Sequence, residues 1–308
     1  MTAPRTLRLG TRGSALALAQ SRAIAEKLGA EVVVIESDGD RSAESLSVLG
    51  GTGIFATALR QAMLNNDVDV VVHSFKDLPT TPAEGLAIAA VPPRGDARDG
   101  LCARDGLTLD TLPEGAKVGT GSPRRRAQLA ARRADLQLVD IRGNVDTRLA
   151  RVGSDDPDRA LDAVVLAVAG LDRLGRLDAV SHYLELGWWP TAPAQGALAI
   201  ETRAGETSLA AKLDHLPSRL AAEAERGVLA RLEAGCSAPI AATAFLEDGM
   251  VFLTARVYAA DGSSQLTASH ALYAADSKDP AAELAARVAT ELLDAGAADL
   301  APIGGSLR

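Results

Sequence analysis

Short apolar runs ending abruptly in polar, glycine- or proline-containing turns alternate along this chain with longer segments whose apolar residues recur every three or four positions. The first pattern is that of buried strands and the second that of amphipathic helices. Leu7–Gly10 predicts a strand. Ser14 then caps a helix whose apolar positions are Ala15, Leu16, Leu18, Ala19, Ile24 and Leu28. Further strands are predicted over Glu31–Glu36, Val68–Val72 and Leu86–Val91, with a helix over Phe55–Leu64. Pro92-Pro93-Arg94-Gly95-Asp96 is stiff and polar and marks a crossover. The same grammar then repeats. A strand over Lys117–Thr120 leads to Ser122 as N-cap and Pro123 at the first position of a helix, Arg124–Ala134. Strands over Leu136–Ile141 and Asp162–Val168 follow, and Leu198–Glu201 returns to complete the first block. Beyond Leu216 the texture changes to a helix over Ala221–Leu232, three strand-like runs (Ala241–Leu246, Val251–Tyr258, Gln265–Leu272) and a helix over Pro280–Ala295. The pattern predicts an α/β protein with a small C-terminal α+β domain.

With 308 residues, two or three domains are expected. Apolar residues make up 47% but aromatic ones only 3%, so the cores must be built from Ala, Leu and Val. No apolar run is as long as a membrane span, and Met1–Gly10 has no signal-peptide core, which leads us to expect a cytoplasmic protein. A net charge of −8 argues against general nucleic-acid binding. Within that acidic chain, Arg124, Arg125, Arg126, Arg132, Arg133, Arg142, Arg148 and Arg151 are bunched, which suits a small polyanionic ligand. Cys102 and Cys236 have no metal-ligand spacing, and in a reducing compartment no disulfide is expected between them. His73, His182, His215 and His270 are scattered without a metal signature. Gly50-Gly51-Thr52-Gly53 lacks the ending of a nucleotide-hydrolysing phosphate loop.

Candidate chemistry gathers where strands end. The run Val68–Val72 stops at His73-Ser74-Phe75-Lys76-Asp77-Leu78-Pro79, and ligands of open α/β sheets sit at such carboxyl ends. Thr11-Arg12-Gly13-Ser14 places a cation beside the free N–H groups of a capped helix start, the outline of an anion site. Arg124, Arg125 and Arg126 occupy a helix first turn, against the dipole preference for acids there, and an anion would relieve that cost. Arg142-Gly143-Asn144-Val145-Asp146-Thr147-Arg148 again delivers arginines at a strand end. Cys236 lies in a Gly235-Cys236-Ser237-Ala238-Pro239 turn where a thiol is reachable, whereas Cys102 reads as a buried strand residue.

Seven motifs, in order and along the whole chain, resemble the porphobilinogen deaminase (hydroxymethylbilane synthase) family. They are Thr11–Ser14, His73–Pro79, Gly119-Thr120-Gly121-Ser122-Pro123-Arg124-Arg125, Arg142–Arg148, Leu166–Leu171, Gln195-Gly196-Ala197 and Glu233-Ala234-Gly235-Cys236. The resemblance implies two periplasmic-binding-protein-like lobes around a cleft plus a small C-terminal α+β domain. The expected divisions are 1–93 with 195–213, then 98–190, then 217–308. It implies a transferase that joins four porphobilinogen molecules head to tail, releasing ammonia, to give hydroxymethylbilane. The reaction is primed by a dipyrromethane cofactor held covalently by Cys236. It further implies Asp77 and Lys76 as catalytic residues. Cofactor contacts would come from Arg12, Ser14, Ser74, Lys76, Asp77, Ser122, Arg124, Arg125, Arg142 and Arg148, and substrate contacts from Arg12, Arg142, Arg148, Arg173 and Gln195. No metal and no nucleic-acid or membrane partner is implied, and the family suggests a monomer. Planar Arg forks pair carboxylates bidentately, which fits a substrate bearing an acetate and a propionate. Val48 and Thr52 stand where many relatives carry Lys, with Arg126 a candidate replacement cation. The competing expectation is a non-enzymatic two-lobed solute-binding or effector-sensing protein; in that role the Gly235-Cys236 turn has no task.

Overall fold

A computed structural model describes residues 6–35, 53–235 and 238–303. Val48, the Gly50-Gly51-Thr52 turn and Cys236 lie outside the described residues. The chain begins β1 (Arg8–Thr11), α1 (Ala15–Leu28), β2 (Glu31–Val34), α2 (Gly53–Leu64), β3 (Val70–Ser74) and β4 (Leu86–Ala90). After the crossover come β5 (Asp99–Ala103), β6 (Lys117–Gly119), α3 (Pro123–Arg132), β7 (Gln137–Val139), α4 (Val145–Leu149), β8 (Ala163–Ala167), α5 (Val168–Arg173) and β9 (His182–Leu184). The remainder is β10 (Leu198–Arg203), α6 (Leu216–Arg231), β11 (Ile240–Glu247), β12 (Met250–Tyr258), β13 (Gln265–Tyr273) and α7 (Pro280–Asp294), with a short helical turn at Ala297–Leu300.

Two compact units result, residues 1–94 with 197–219 and residues 95–196 with 220–308. In the first, the sheet order is β2-β1-β3-β10-β4, with β1 parallel to β2 and β3 and β10 antiparallel to β3 and β4. Leu9, Val70 and Val72 pack against Ile24 and Leu28 of α1 on one face, and Val71 packs with Leu59 and Met63 of α2 on the other. Both faces are covered, so these strands read as continuous apolar runs and not as alternating ones. The second unit repeats the plan as β7-β6-β8-β5-β9, with β6 parallel to β7 and β8, and β5 antiparallel to β8 and β9. The antiparallel β5 sets Asp99 opposite Ala167, so its first residue lies level with the carboxyl end of β8.

The second unit also holds the antiparallel sheet β11-β12-β13. Its inward positions Val251, Leu253, Ala255 and Val257 share a core with Val228 of α6, with Leu232 just after it, and with Leu284, Val288 and Leu292 of α7. The 98–190 and 217–308 segments meet where Tyr258 Oη accepts from Gln128 Nε2 at 3.1 Å and packs with Ala127 and Ala241.

Most element boundaries agree with the sequence pattern, and the differences have physical causes. His73 and Ser74 belong to β3 and not to the loop after it, because polar partners on neighbouring helices and strands satisfy both side chains. β7 spans three residues where six were expected. α6 begins at Leu216, five residues before the expected start, with Pro217 near its beginning where a missing N–H costs nothing. The short β9, α4 and α5 fall below the length at which periodicity is readable.

Gly227 of α6 lies against α7, and a Cβ there would sit 2.6 Å from the Cβ of Ala285. An exposed Gly→Ala change in a helix gains about 1 kcal/mol, but overpacking a close contact between two helices costs about 1–3 kcal/mol. Gly227→Ala is therefore expected to lower the denaturation midpoint of the second unit; a raised midpoint would show that the helices move apart freely.

Candidate functional site

The structure brings the sequence-predicted polar residues to the carboxyl ends of parallel strands, one set in each unit. In the first unit, β1 ends at Thr11 and feeds half-buried Arg12 and exposed Ser14. Ser14 Oγ caps α1 by accepting from Ala17 N at 3.4 Å. Ser74 exchanges hydrogen bonds with Gln20 of α1, at 3.1 Å from Gln20 Nε2 and 3.3 Å to Oε1, which fixes the last side chain of β3. The chain then makes a 3₁₀ turn over Phe75–Asp77. Phe75 is buried in that turn and its N–H donates to the Ala197 carbonyl at 3.0 Å, while Leu78 N–H closes it on Phe75 O. Between these anchors Lys76 is half-buried and Asp77 exposed. A buried residue at each end of a two-residue polar exposure holds the carboxylate at a fixed place on a rigid strand end.

Behind that turn, the opposite face of β3 carries a buried ion network. His73 Nε2 lies 3.2 Å from Glu201 Oε2, and Arg60 donates to Glu201 through Nε at 3.0 Å and Nη2 at 2.9 Å. Burial alone would raise the Glu201 pKa, but His73 and Arg60 hold it below the ordinary carboxylate value.

In the second unit, Ser122 caps α3 by accepting from Arg125 N at 3.4 Å. Arg124 and Arg125 in its first turn are buried, at 3% and 7% exposure, and their forks turn inward. Arg124 Nη2 donates to Asp99 Oδ2 at 2.9 Å, and its Nη1 to Gln128 Oε1 and the Pro190 carbonyl. Arg125 Nη2 donates to Asp99 Oδ1 at 2.6 Å and Nη1 to the Val165 carbonyl at 2.9 Å. The Nε groups of both arginines are buried and have no hydrogen-bond partner among the described residues. Gln195 is fully buried too, donating to Asp99 Oδ1 at 2.8 Å and to the Ala97 carbonyl at 2.9 Å.

Arg142 is exposed, 3.8 Å from Asp140. Arg148 is half-buried and donates through Nε to the Gly143 carbonyl at 2.8 Å. Arg173, also half-buried, donates through Nη2 to the Gly196 carbonyl at 2.6 Å. Among the described residues neither Arg148 nor Arg173 has a carboxylate within ion-pair distance. Burial pulls the pKa of Arg148 down, and the Arg125 and Arg142 charges add to the effect; burial does the same to Arg173. Both stay protonated at neutral pH, so their positive charge is held at a cost that an incoming anion would remove. Cys102 is buried in β5, where burial pushes its thiol up to about 12, so it is inert.

Sequence reasoning missed Asp99 and Glu201. Asp99 opens a strand run and Glu201 follows one, and their partners are up to 141 residues away. The one available signal was a carboxylate at the margin of a run that otherwise reads as buried.

Comparison with known proteins identifies the family. Residues 7–211 match the family model described as porphobilinogen deaminase, dipyrromethane cofactor binding domain, and residues 219–294 match porphobilinogen deaminase, C-terminal domain. A porphobilinogen deaminase from Leifsonia xyli subsp. xyli is 56% identical, with 97% of this chain and 95% of that relative covered. One from Thermobifida fusca is 49% identical, with 94% of each chain covered. Among solved structures, a lipoprotein of the YaeC family from Enterococcus faecalis is 18% identical with a TM-score of 0.35, covering 68% of this chain and 88% of that one.

The Glu201 network carries a pH signature. A depressed folded pKa contributes stability that is present above the unfolded value near 4.5 and is lost as pH falls through the lower folded value. Glu201→Gln should cost about 3 kcal/mol at neutral pH, because it leaves half-buried Arg60 without its buried carboxylate. It should also flatten the loss of stability below pH ~4.5. Urea midpoints between pH 3 and 7 test this, and an unchanged acid limb would contradict it.

Proposed function

Because the chain belongs to the porphobilinogen deaminase family, we propose that it joins four porphobilinogen molecules head to tail into hydroxymethylbilane, releasing one ammonia per unit, as a step of tetrapyrrole biosynthesis. The observation that carries the proposal is the surplus of buried or half-buried guanidinium groups at the strand ends of the second unit: among the described residues Arg124 and Arg125 share one carboxylate, and Arg148 and Arg173 have none. Each porphobilinogen brings an acetate and a propionate, the charge these forks accept bidentately.

The chain's residues fit a dipyrromethane in charge and in donor type. Unpartnered Nε donors on Arg124 and Arg125 and the depressed basicity of Arg148 and Arg173 describe a set of cations still short of anions. That cofactor would supply the free pyrrole α-carbon from which the chain of four is extended. We assign Cys236, within the family's cofactor signature, as its thioether anchor. Arg12, Ser14, Ser74 and Lys76 of the first unit and Ser122, Arg124, Arg125, Arg142 and Arg148 of the second are assigned to its carboxylates. Arg12, Arg142, Arg148 and Arg173 hold those of the incoming substrate, and buried Gln195 supports the same strand end from within.

Asp77 has the central chemical role in this reading. When the substrate's aminomethyl group departs as ammonia, positive charge develops on that pyrrole. A fixed carboxylate near the pyrrole N–H stabilises that charge without reorganising. Lys76 beside it pairs with substrate carboxylate. The working unit we propose is a single chain in the cytoplasm; among the described residues no helix is long and apolar enough to cross a membrane. The family match leaves the solute-binding alternative unfavoured.

Asp77→Ala should lower kcat for porphobilinogen consumption by about 10²–10³-fold, the usual worth of a preorganised electrostatic group. As an exposed position, its stability should change by about 0.5 kcal/mol or less. Ammonia release and thermal midpoints measured side by side test both halves. Near-normal turnover would reduce Lys76 and Asp77 to a surface ion pair.

A further inference from the structure

Asp99 is the first residue of β5 and is fully buried. Four side-chain donors converge on its carboxylate. Arg124 Nη2 and Trp189 Nε1 each lie 2.9 Å from Oδ2, and Arg125 Nη2 and Gln195 Nε2 lie 2.6 and 2.8 Å from Oδ1. A carboxylate has about four acceptor sites, so Asp99 has no capacity left for a ligand and can act only through its partners. Those partners come from two separate stretches of the second unit, the first turn of α3 and the 188–196 segment, and join both to β5. The charge count is not that of a structural pair. One carboxylate faces two buried guanidiniums, which leaves one uncompensated positive charge next to Arg148. Burying surplus charge costs stability, and a network selected for stability alone would match the charges one to one. Burial by itself would raise the Asp99 pKa, yet Arg125 and Arg124 hold it well below the carboxylate range, so it stays ionised at every physiological pH.

We propose that Asp99 is the positioning residue of the carboxylate-binding arginines, fixing the forks of Arg124 and Arg125 so that their remaining donors and surplus charge serve the pyrrole carboxylates. This inference rests on the functional reading above and adds to it a residue that touches neither cofactor nor substrate. Trp189 and Gln195 have a secondary part, saturating Asp99 so that it does not pull either guanidinium out of register.

The test compares wild type, Asp99→Asn and, as a control, Asp162→Asn. Asp162 accepts from Arg104 Nε and Lys117 N, both at 2.8 Å, just before the opposite end of β8. It is therefore an Arg–carboxylate contact of the same kind, away from the proposed site. Thermal midpoint, KM and kcat for porphobilinogen, and the fraction of chains carrying the extra mass of two linked porphobilinogen units are measured for each. Asp99→Asn is expected to raise KM at least tenfold and to reduce the loaded fraction several-fold, with kcat of the loaded chains changed less than KM. Asp162→Asn is expected to move only the thermal midpoint. A lowered midpoint in Asp99→Asn with KM and loading both at wild-type values would overturn the proposal and leave Asp99 a structural carboxylate. Should Asp99→Asn not fold, Trp189→Phe removes one donor and keeps both arginines: a two- to threefold rise in KM supports the proposal, and an unchanged KM with unchanged loading refutes it. Wild type that neither loads nor consumes porphobilinogen would overturn the functional reading itself, and this inference with it.

Discussion

Two guanidiniums buried against one carboxylate set the electrostatics of the second unit. Arg124 and Arg125 are almost fully enclosed, and Asp99 can neutralise only one of them. Taking an unmatched charge out of water costs several kcal/mol, and the capped first turn of α3 adds to the cost because its dipole already presents positive charge there. Arg148 and Arg173 extend the same surplus outward, each satisfied by a backbone carbonyl and by no carboxylate among the described residues. That a chain with net charge −8 keeps such a cluster is what supports the proposed anionic ligand.

The fold makes that cluster possible. The five-stranded sheet of each unit has four strands running the same way, with one antiparallel strand inserted between the third and the fourth. In the first unit the antiparallel strand is β10, whose Glu201 anchors His73 and Arg60 behind the Asp77 turn. In the second it is β5, whose Asp99 anchors the arginines. The arrangements are analogous. In both units a buried acid on the antiparallel strand braces residues at or behind the strand end: His73 and Arg60 in the first, Arg124 and Arg125 in the second. Rigid strand ends with internal bracing place donors before any ligand arrives, which is what electrostatic stabilisation of a developing charge requires.

Much of this was legible in the sequence. The Val68–Val72 run and its abrupt polar ending located Asp77, and the Ser122-Pro123 pair located the start of α3, because apolar periodicity and capping are local signals. The bunched arginines likewise marked where the buried and half-buried guanidiniums of the second unit gather. Two things were not legible. The inward turn of Arg124 and Arg125 depends on Asp99, 25 and 26 residues earlier, and on Gln195, 96 residues beyond Asp99; no local pattern records such pairings. His73 looked like a loop residue because it follows an apolar run, yet it completes β3 by finding Glu201 at 128 residues' separation. Sequence reading was therefore reliable for where polar groups emerge and blind to which of them the interior uses.

The most direct test of the account is the intact mass of freshly purified wild type set beside Cys236→Ser. The account predicts wild type heavier than its sequence by two linked porphobilinogen units and Cys236→Ser at its sequence mass. Wild type at sequence mass, and still unmodified after incubation with porphobilinogen, would contradict it: the arginine surplus would then serve some other anion, and the chain would carry no primer.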